Sequence, residues 1–170
     1  RNLDRYLITV LEEQLRRPVR LSSLDVLRPG RVRATGLEVA AGRSFDDGVM
    51  LRAPEIVAQY RFWDLVRGRI DPVGSVSEVI LRRPYVLIVR DRDNRFNLQD
   101  LFPKKAKPPK PSPFRGTVRI EGGTARFEDF AARDLPAPQV NNLYAVDAVL
   151  DAGAPPLMAF SARARGDGRR

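Results

Sequence analysis

Leu51–Phe102, LRAPEIVAQYRFWDLVRGRIDPVGSVSEVILRRPYVLIVRDRDNRFNLQDLF, decides the fold class of this chain. Within it Ile56, Ala58, Tyr60 and Phe62 alternate with Glu55, Gln59 and Arg61. That two-residue period is the mark of a strand with one buried face. The spacing predicts a long strand over Val49–Phe62, with Pro54 at a bulge or an edge, because proline cannot donate to a ladder. Val76–Leu81 and Tyr85–Arg90 read as two further strands, interrupted at Arg83–Pro84. Tyr85, Val86, Leu87, Ile88 and Val89 run nearly unbroken, which predicts cover on both faces. Trp63–Gly68 is too short for more than a helical turn or corner. Asn97–Phe102 reads as a helical turn that packs Leu98, Leu101 and Phe102.

The same alternation extends outward. Val19–Ala41 is a hairpin around the turn dipeptide Pro29–Gly30, and Gly42–Gly48 is a loop. Arg115–Asp129, RGTVRIEGGTARFED, predicts strands at Gly116–Glu121 and Thr124–Glu128, with Gly122–Gly123 as a hairpin signal. In Asn141–Asp151, Tyr144, Val146, Ala148 and Leu150 alternate with Ala145, Asp147 and Asp151. Gly153–Pro156 turns the chain into a last strand, Leu157–Arg165. VRATGLEVA and VRIEGGTARFED echo one another as strand, glycine, strand, which points to stacked hairpins in a quasi-linear architecture.

Arg1–Arg17 reads as an amphipathic helix. Leu3, Tyr6, Leu7, Val10, Leu11 and Leu15 recur at helical steps, and Pro18 stops it. Pro103–Pro113, PKKAKPPKPSP, favours an extended, solvated linker. The organisation expected is therefore a capping helix (1–17), a first sheet segment (18–102), a linker (103–114) and a second sheet segment (115–170). The fold class expected is mainly β: an antiparallel sheet of about eight strands capped by that helix.

The chain has 170 residues, no histidine and no cysteine, which removes the commonest general base, the commonest metal ligands, disulfides and thiol nucleophiles. Fourteen prolines and twelve glycines match a turn-rich β architecture. The net charge is +9, and all four lysines lie in the linker. Such a balance suits anionic lipid headgroups or nucleic acid. No apolar run is long enough to span a bilayer, and no signal peptide is visible. The chain opens without methionine and closes at Arg169–Arg170 just after a strand-like run, as expected of a segment of a longer protein.

No catalytic set emerges. Asp91-Arg92-Asp93-Asn94-Arg95 lacks the glycine and the downstream glutamate of a calcium loop. Asp46–Asp47–Gly48 is a turn, Gly122–Gly123 precedes no helix and so is no phosphate cradle, and Ser22–Ser23 has no partner base. Nothing calls for a cofactor or a metal. Nucleic acid is not an expected partner either. The arginines are interleaved with Glu78, Asp91, Asp93, Glu121, Glu128 and Asp129, and no RNA-recognition or helix-turn-helix pattern appears.

The ordered series Ala53–Pro54–Glu55–Ile56, Phe62–Ile70, Val76–Leu81, Arg83–Pro84–Tyr85–Val86, Val89–Arg90–Asp91, Asn97–Leu98 and Leu101–Phe102 resembles the N-terminal part of the AsmA/TamB-like family of bacterial envelope proteins. The lysine- and proline-rich gap, then Arg115–Ile120, Gly123 and Phe127–Asp129, continues the resemblance over most of Pro18–Asp129. Arg95 stands where the family commonly has glycine. The helix and the last forty residues match only in general character.

The resemblance implies a periplasmic module, tethered to the inner membrane by an upstream segment. It also implies a sheet curled into a taco-like groove, similar to chorein-type lipid bridges. The groove would hold phospholipid acyl chains for transfer between inner and outer membranes or for outer-membrane biogenesis. Candidate lining residues are Ile56, Ala58, Tyr60 and Phe62, then Val118 and Ile120, then Tyr144, Val146, Ala148 and Leu150. The alternation by itself also fits rows that bury an ordinary closed core under the helix. A second function is open: recruitment of an outer-membrane assembly partner by strand addition. A bare sheet edge predicts weak self-association.

Overall fold

The computed structural model describes residues 2–68, 74–99, 114–131, 137–154 and 157–166. Helix α1 (Asn2–Leu15) ends three residues before Pro18, with Arg16 in the left-handed region (φ 52°) as its stop. The strands are β1 (Val19–Arg20), β2 (Ser23–Arg28), β3 (Arg31–Ala40), β4 (Val49–Tyr60), β5 (Val76–Arg82), β6 (Tyr85–Arg90), β7 (Thr117–Asp129), β8 (Gln139–Ala154) and β9 (Leu157–Gly166). A short helix α2 (Phe62–Val66) follows β4, so the expected strand Val49–Phe62 stops at Tyr60.

All nine strands form one sheet. β1 and β2 lie end to end on the outer edge of β3, and β5 and β6 lie end to end between β4 and β7. The sheet then runs through β8 to β9, and among the described residues it does not close on itself.

Two expectations need correction. The sheet is mixed, because β7 runs parallel to both β5 (Glu78 beside Thr117) and β6 (Tyr85 beside Thr124). Parallel neighbours require a long return connection, and the stretch between Arg90 and Thr117 provides it. The two expected sheet segments are therefore hydrogen-bonded into one, while the linker between them lies outside the described residues. Gly122–Gly123 is not a hairpin turn either. β7 passes straight through it, and Gly122 is a bulge with φ 61°.

That bulge belongs to a line across the sheet. The registers set Ser22 opposite Gly36 (φ 61°), Gly36 opposite Pro54, Pro54 opposite Arg83 (φ 49°), and Arg83 beside Gly122. Ala145 (φ 49°) completes it in β8. The echo between VRATGLEVA and VRIEGGTARFED is thus structural, with the same left-handed glycine in each.

In β7 and β8 the bulge absorbs one residue and reverses the in–out phase of the strand. Ile120 pairs with Ala148, Gly123 with Val146, and Ala125 with Leu143. Pairing keeps side chains on one side, so Ile120, Gly123 and Ala125 share a face, although strict alternation would put Ile120 opposite the other two. Carried across the ladders, the same logic puts Ile56 with Leu51 and Ala34 with Val39.

The core sits where α1 meets this face. Val19, Leu37, Val39, Met50 and Ala53 are buried, and Ile8, Leu11 and Leu15 of the helix pack against them with Leu98. Each such aliphatic side chain contributes roughly 1.5–3 kcal/mol when fully buried. Arg17 fastens the helix end by donating to the carbonyls of Ala41 and Asn97. Asn97 in turn closes the edge of β6. Its Oδ1 accepts from Val89 N–H at 3.0 Å, and its Nδ2 donates to Leu87 O at 2.8 Å.

Candidate functional site

The register assigns one apolar face to the whole sheet. On one side of the bulge line it carries Val32 and Ala34, then Ile56 and Ala58, Val79 and Leu81, Val118 and Ile120, and Ala148 and Leu150. On the other side it continues with Leu37 and Val39, Leu51 and Ala53, Val86, Ala125 and Leu143. Helix α1 covers the corner around β1, β3 and β4. Over β5 to β8 these side chains are half-buried, apart from the buried Ala148 and the exposed Leu143.

The opposite face is mostly charged, with Val57 (3% exposed), Ile80 and Val149 set among its ion pairs. Arg33 pairs with Asp25 (3.4 Å), Arg82 with Glu55 (3.2 Å) and Glu121 (3.6 Å), Arg119 with Glu78 (3.5 Å), and Arg52 with Glu38 (2.9 Å). These are cross-strand neighbours of opposite sign, which support pairing and define register at little net energy. Arg126 is held above the ordinary guanidinium value mainly by its hydrogen bond to Glu128, with smaller attraction from Tyr85 and Tyr144. Leu143 pairs with Ala125 on the apolar face, so its neighbour Tyr144 lies on the charged one.

This corrects one candidate. The row Tyr144, Val146, Ala148, Leu150 assumed unbroken alternation, but the bulge at Ala145 turns Tyr144 away and puts Leu143 in its place. Val146, Ala148 and Leu150 remain together, opposite Gly123, Ile120 and Val118. Ile56 and Ala58 lie in the same face through Leu81 and Val79. Tyr60 follows Ala58 on that face across a register shift, and burial raises its pKa above the ordinary tyrosine value. Phe62 has left the strand for α2, and its side chain lies outside the described residues.

Sequence reasoning missed Val79, Leu81, Ala34 and Leu143. Val79 and Leu81 were readable from alternation with Glu78, though Ile80 blurs the pattern. Leu143 carried no local signal, because only the bulge reveals it.

Two shallow depressions mark the bulge line. One, of about 640 Å³, is lined by Ile8, Val19, Ser22, Gly36 and Pro54 together with Arg20, Glu38 and Arg52. The other, of about 420 Å³, has Ile120, Ala148 and Ala162 among charged residues of β7, β8 and β9. Among the described residues no cluster of acidic side chains suits a metal ion, and no helix is long and apolar enough to cross a membrane. Asp91 organises a tight turn, its Oδ1 accepting from the N–H groups of Asp93 and Arg95. The chain matches no family model and no characterised protein.

Proposed function

We propose that the apolar face is a non-enzymatic trough for phospholipid acyl chains. In this reading the chain is a periplasmic module of the AsmA/TamB-like kind, tethered to the inner membrane by an upstream segment. It transfers phospholipid between the inner and outer membranes or serves outer-membrane biogenesis. One observation carries the proposal: a single face stays apolar from β3 to β8 on both sides of a line of bulges, while only one corner is covered by α1. A closed core needs a second layer along the full sheet, and the described helix spans one edge of it.

Dimensions and energies agree with this use. Strands of about twelve residues rise roughly 40 Å at 3.3 Å per residue, longer than an extended acyl tail. Each CH₂ kept from water gains about 0.8 kcal/mol, so a flat apolar lining suffices and no reactive group is needed. Bulges bend a strand, so a line of them across the sheet supports a curled trough.

The test is native mass spectrometry of lipid retained on purification. Wild-type protein should carry phospholipid, and Ile120→Asp or Ala148→Asp should shed it, each setting a carboxylate among apolar neighbours. Protein that carries no lipid, or an I120D variant loaded as fully as wild type, refutes the trough.

A second reading rests on the edges. β2 and β9 present outer edges with no described neighbour, and such edges recruit a β-rich partner or a second copy by strand addition. Proline at Ser161 in β9 should abolish that recruitment and leave lipid loading unchanged.

A further inference from the structure

Four large apolar side chains stand in solvent at one end of the sheet. Val26 (66% exposed) and Leu27 (45%) are at the tip of the β2–β3 hairpin, and Trp63 (65%) and Val66 (60%) are on α2. The two groups are neighbours. Tyr60 N–H donates to Gly30 O at 2.7 Å, which holds the hairpin tip beside the residue that leads into α2. Trp63 and Val66 are three residues apart and share a helix face. Val26 pairs with Val32 and so extends the apolar face to its very end.

The segments that carry this patch are rich in arginine. Arg28, Arg61 and Arg67 are exposed, and Arg31 borders them. Arg61 also reaches across to the carbonyl of Arg115 at 2.6 Å, bringing another arginine to the same end. At the hairpin and α2 the acids are Asp64 and Asp25, and Arg33 already pairs with Asp25. Monomeric surfaces rarely expose contiguous large apolar side chains without a use. Here the partner must offer hydrocarbon and anionic oxygen within a few ångströms of each other. A nucleic acid supplies phosphate but meets proteins through stacked aromatics, whereas three of these four side chains are aliphatic. A protein groove would not call for so many arginines on its rim. A bilayer interface supplies both: tryptophan favours its headgroup level, and arginine binds phosphate in a planar fork.

We propose that this end of the sheet docks on an anionic phospholipid bilayer. Trp63, Val66, Leu27 and Val26 enter the interfacial layer, and Arg28, Arg61 and Arg67 pair with headgroup phosphates. The proposal goes beyond the trough and holds whether or not the face carries lipid.

Trp63 is the chain's single tryptophan, so its emission reports the contact directly. Vesicles of phosphatidylcholine alone are compared with vesicles that also contain phosphatidylglycerol. The anionic vesicles should shift the emission to the blue and co-sediment the protein, the neutral ones much less, and added salt should weaken both effects. Charge reversal in R28E/R67E should cut binding about tenfold or more. L27S/V66S should abolish the blue shift, while W63F should lose the signal yet keep most of the sedimentation. Far-UV spectra confirm that the variants fold. The proposal is overturned by absent sedimentation on anionic vesicles, or by binding that both double variants leave intact. Equal affinity for soluble heparin without a blue shift would also overturn it, identifying a general polyanion surface. Lipid retained after purification is measured on the same samples, so failure of docking and failure of the trough are separate results.

Discussion

Replacing Gly36 with alanine tests whether the line of bulges holds the sheet together. Gly36 has φ 61°, where an L side chain costs about 1–2 kcal/mol. It also faces the break between β1 and β2. A Cβ there would lie 2.2 Å from Ser22 Oγ and 2.8 Å from Ser22 Cβ. The hydroxyl can rotate away, but the Cβ cannot, and Ser22 is held by its N–H bond to Thr35 O at 3.0 Å. Relieving the overlap adds about 1–3 kcal/mol, for a total of about 2–5 kcal/mol. Gly122 supplies the control, because it has the same φ of 61° but its nearest neighbour is Arg83 Cγ at an ordinary 3.7 Å. G122A should therefore cost only the backbone share, about 1–2 kcal/mol. In the double variant S22G/G36A both close contacts disappear, so the pair should show a coupling of about 1–3 kcal/mol. Urea unfolding followed by far-UV circular dichroism measures the stabilities of wild type, S22G, G36A, S22G/G36A and G122A. If G36A proves no worse than G122A, or if S22G restores nothing to it, the bulge geometry assigned to this line is wrong.

Two further outcomes follow from the same structure. Asn97→Ala leaves Val89 N–H and Leu87 O without their side-chain partner, a loss of about 2 kcal/mol; hydrogen exchange should show amide protection falling at Val89 while Val86, inside the ladder, stays protected, and uniform protection would contradict the edge-closing role. Burial raises the pKa of Tyr60 above 10.0, so the folded state keeps a proton that the unfolded state releases. Its stabilising share is complete below about pH 10 and declines as pH climbs through the folded value. Tyr60→Phe should flatten part of the alkaline loss in a denaturation series, and an unchanged profile would mean that Tyr60 is not the group responsible.

Much of the fold was readable locally. The alternation of Ile56 and Ala58 with Glu55 and Gln59 reports a half-buried strand because side-chain direction has a period of two. Pro29–Gly30 and Asp91 carry their turn chemistry within a few residues, and the structure has the hairpin and the side-chain-capped turn there. Arg83–Pro84 was legible as an interruption. Its role was not: a break in one strand gains meaning only when Gly36, Pro54, Gly122 and Ala145 stand beside it. Tyr144 shows the cost of reading one strand alone, since a single left-handed residue at Ala145 sends it to the charged face.

The amino-acid order by itself determined that this is a β-rich chain with an amphipathic helix at its start, because periodicity, proline and glycine act over short stretches of backbone. Only the tertiary structure decided that β7 lies parallel to β5 and β6, and that the apolar rows of separate strands merge into one face. Both depend on hydrogen-bond register between residues dozens of positions apart. No local pattern encodes that register; it is selected by the energy of the assembled ladder.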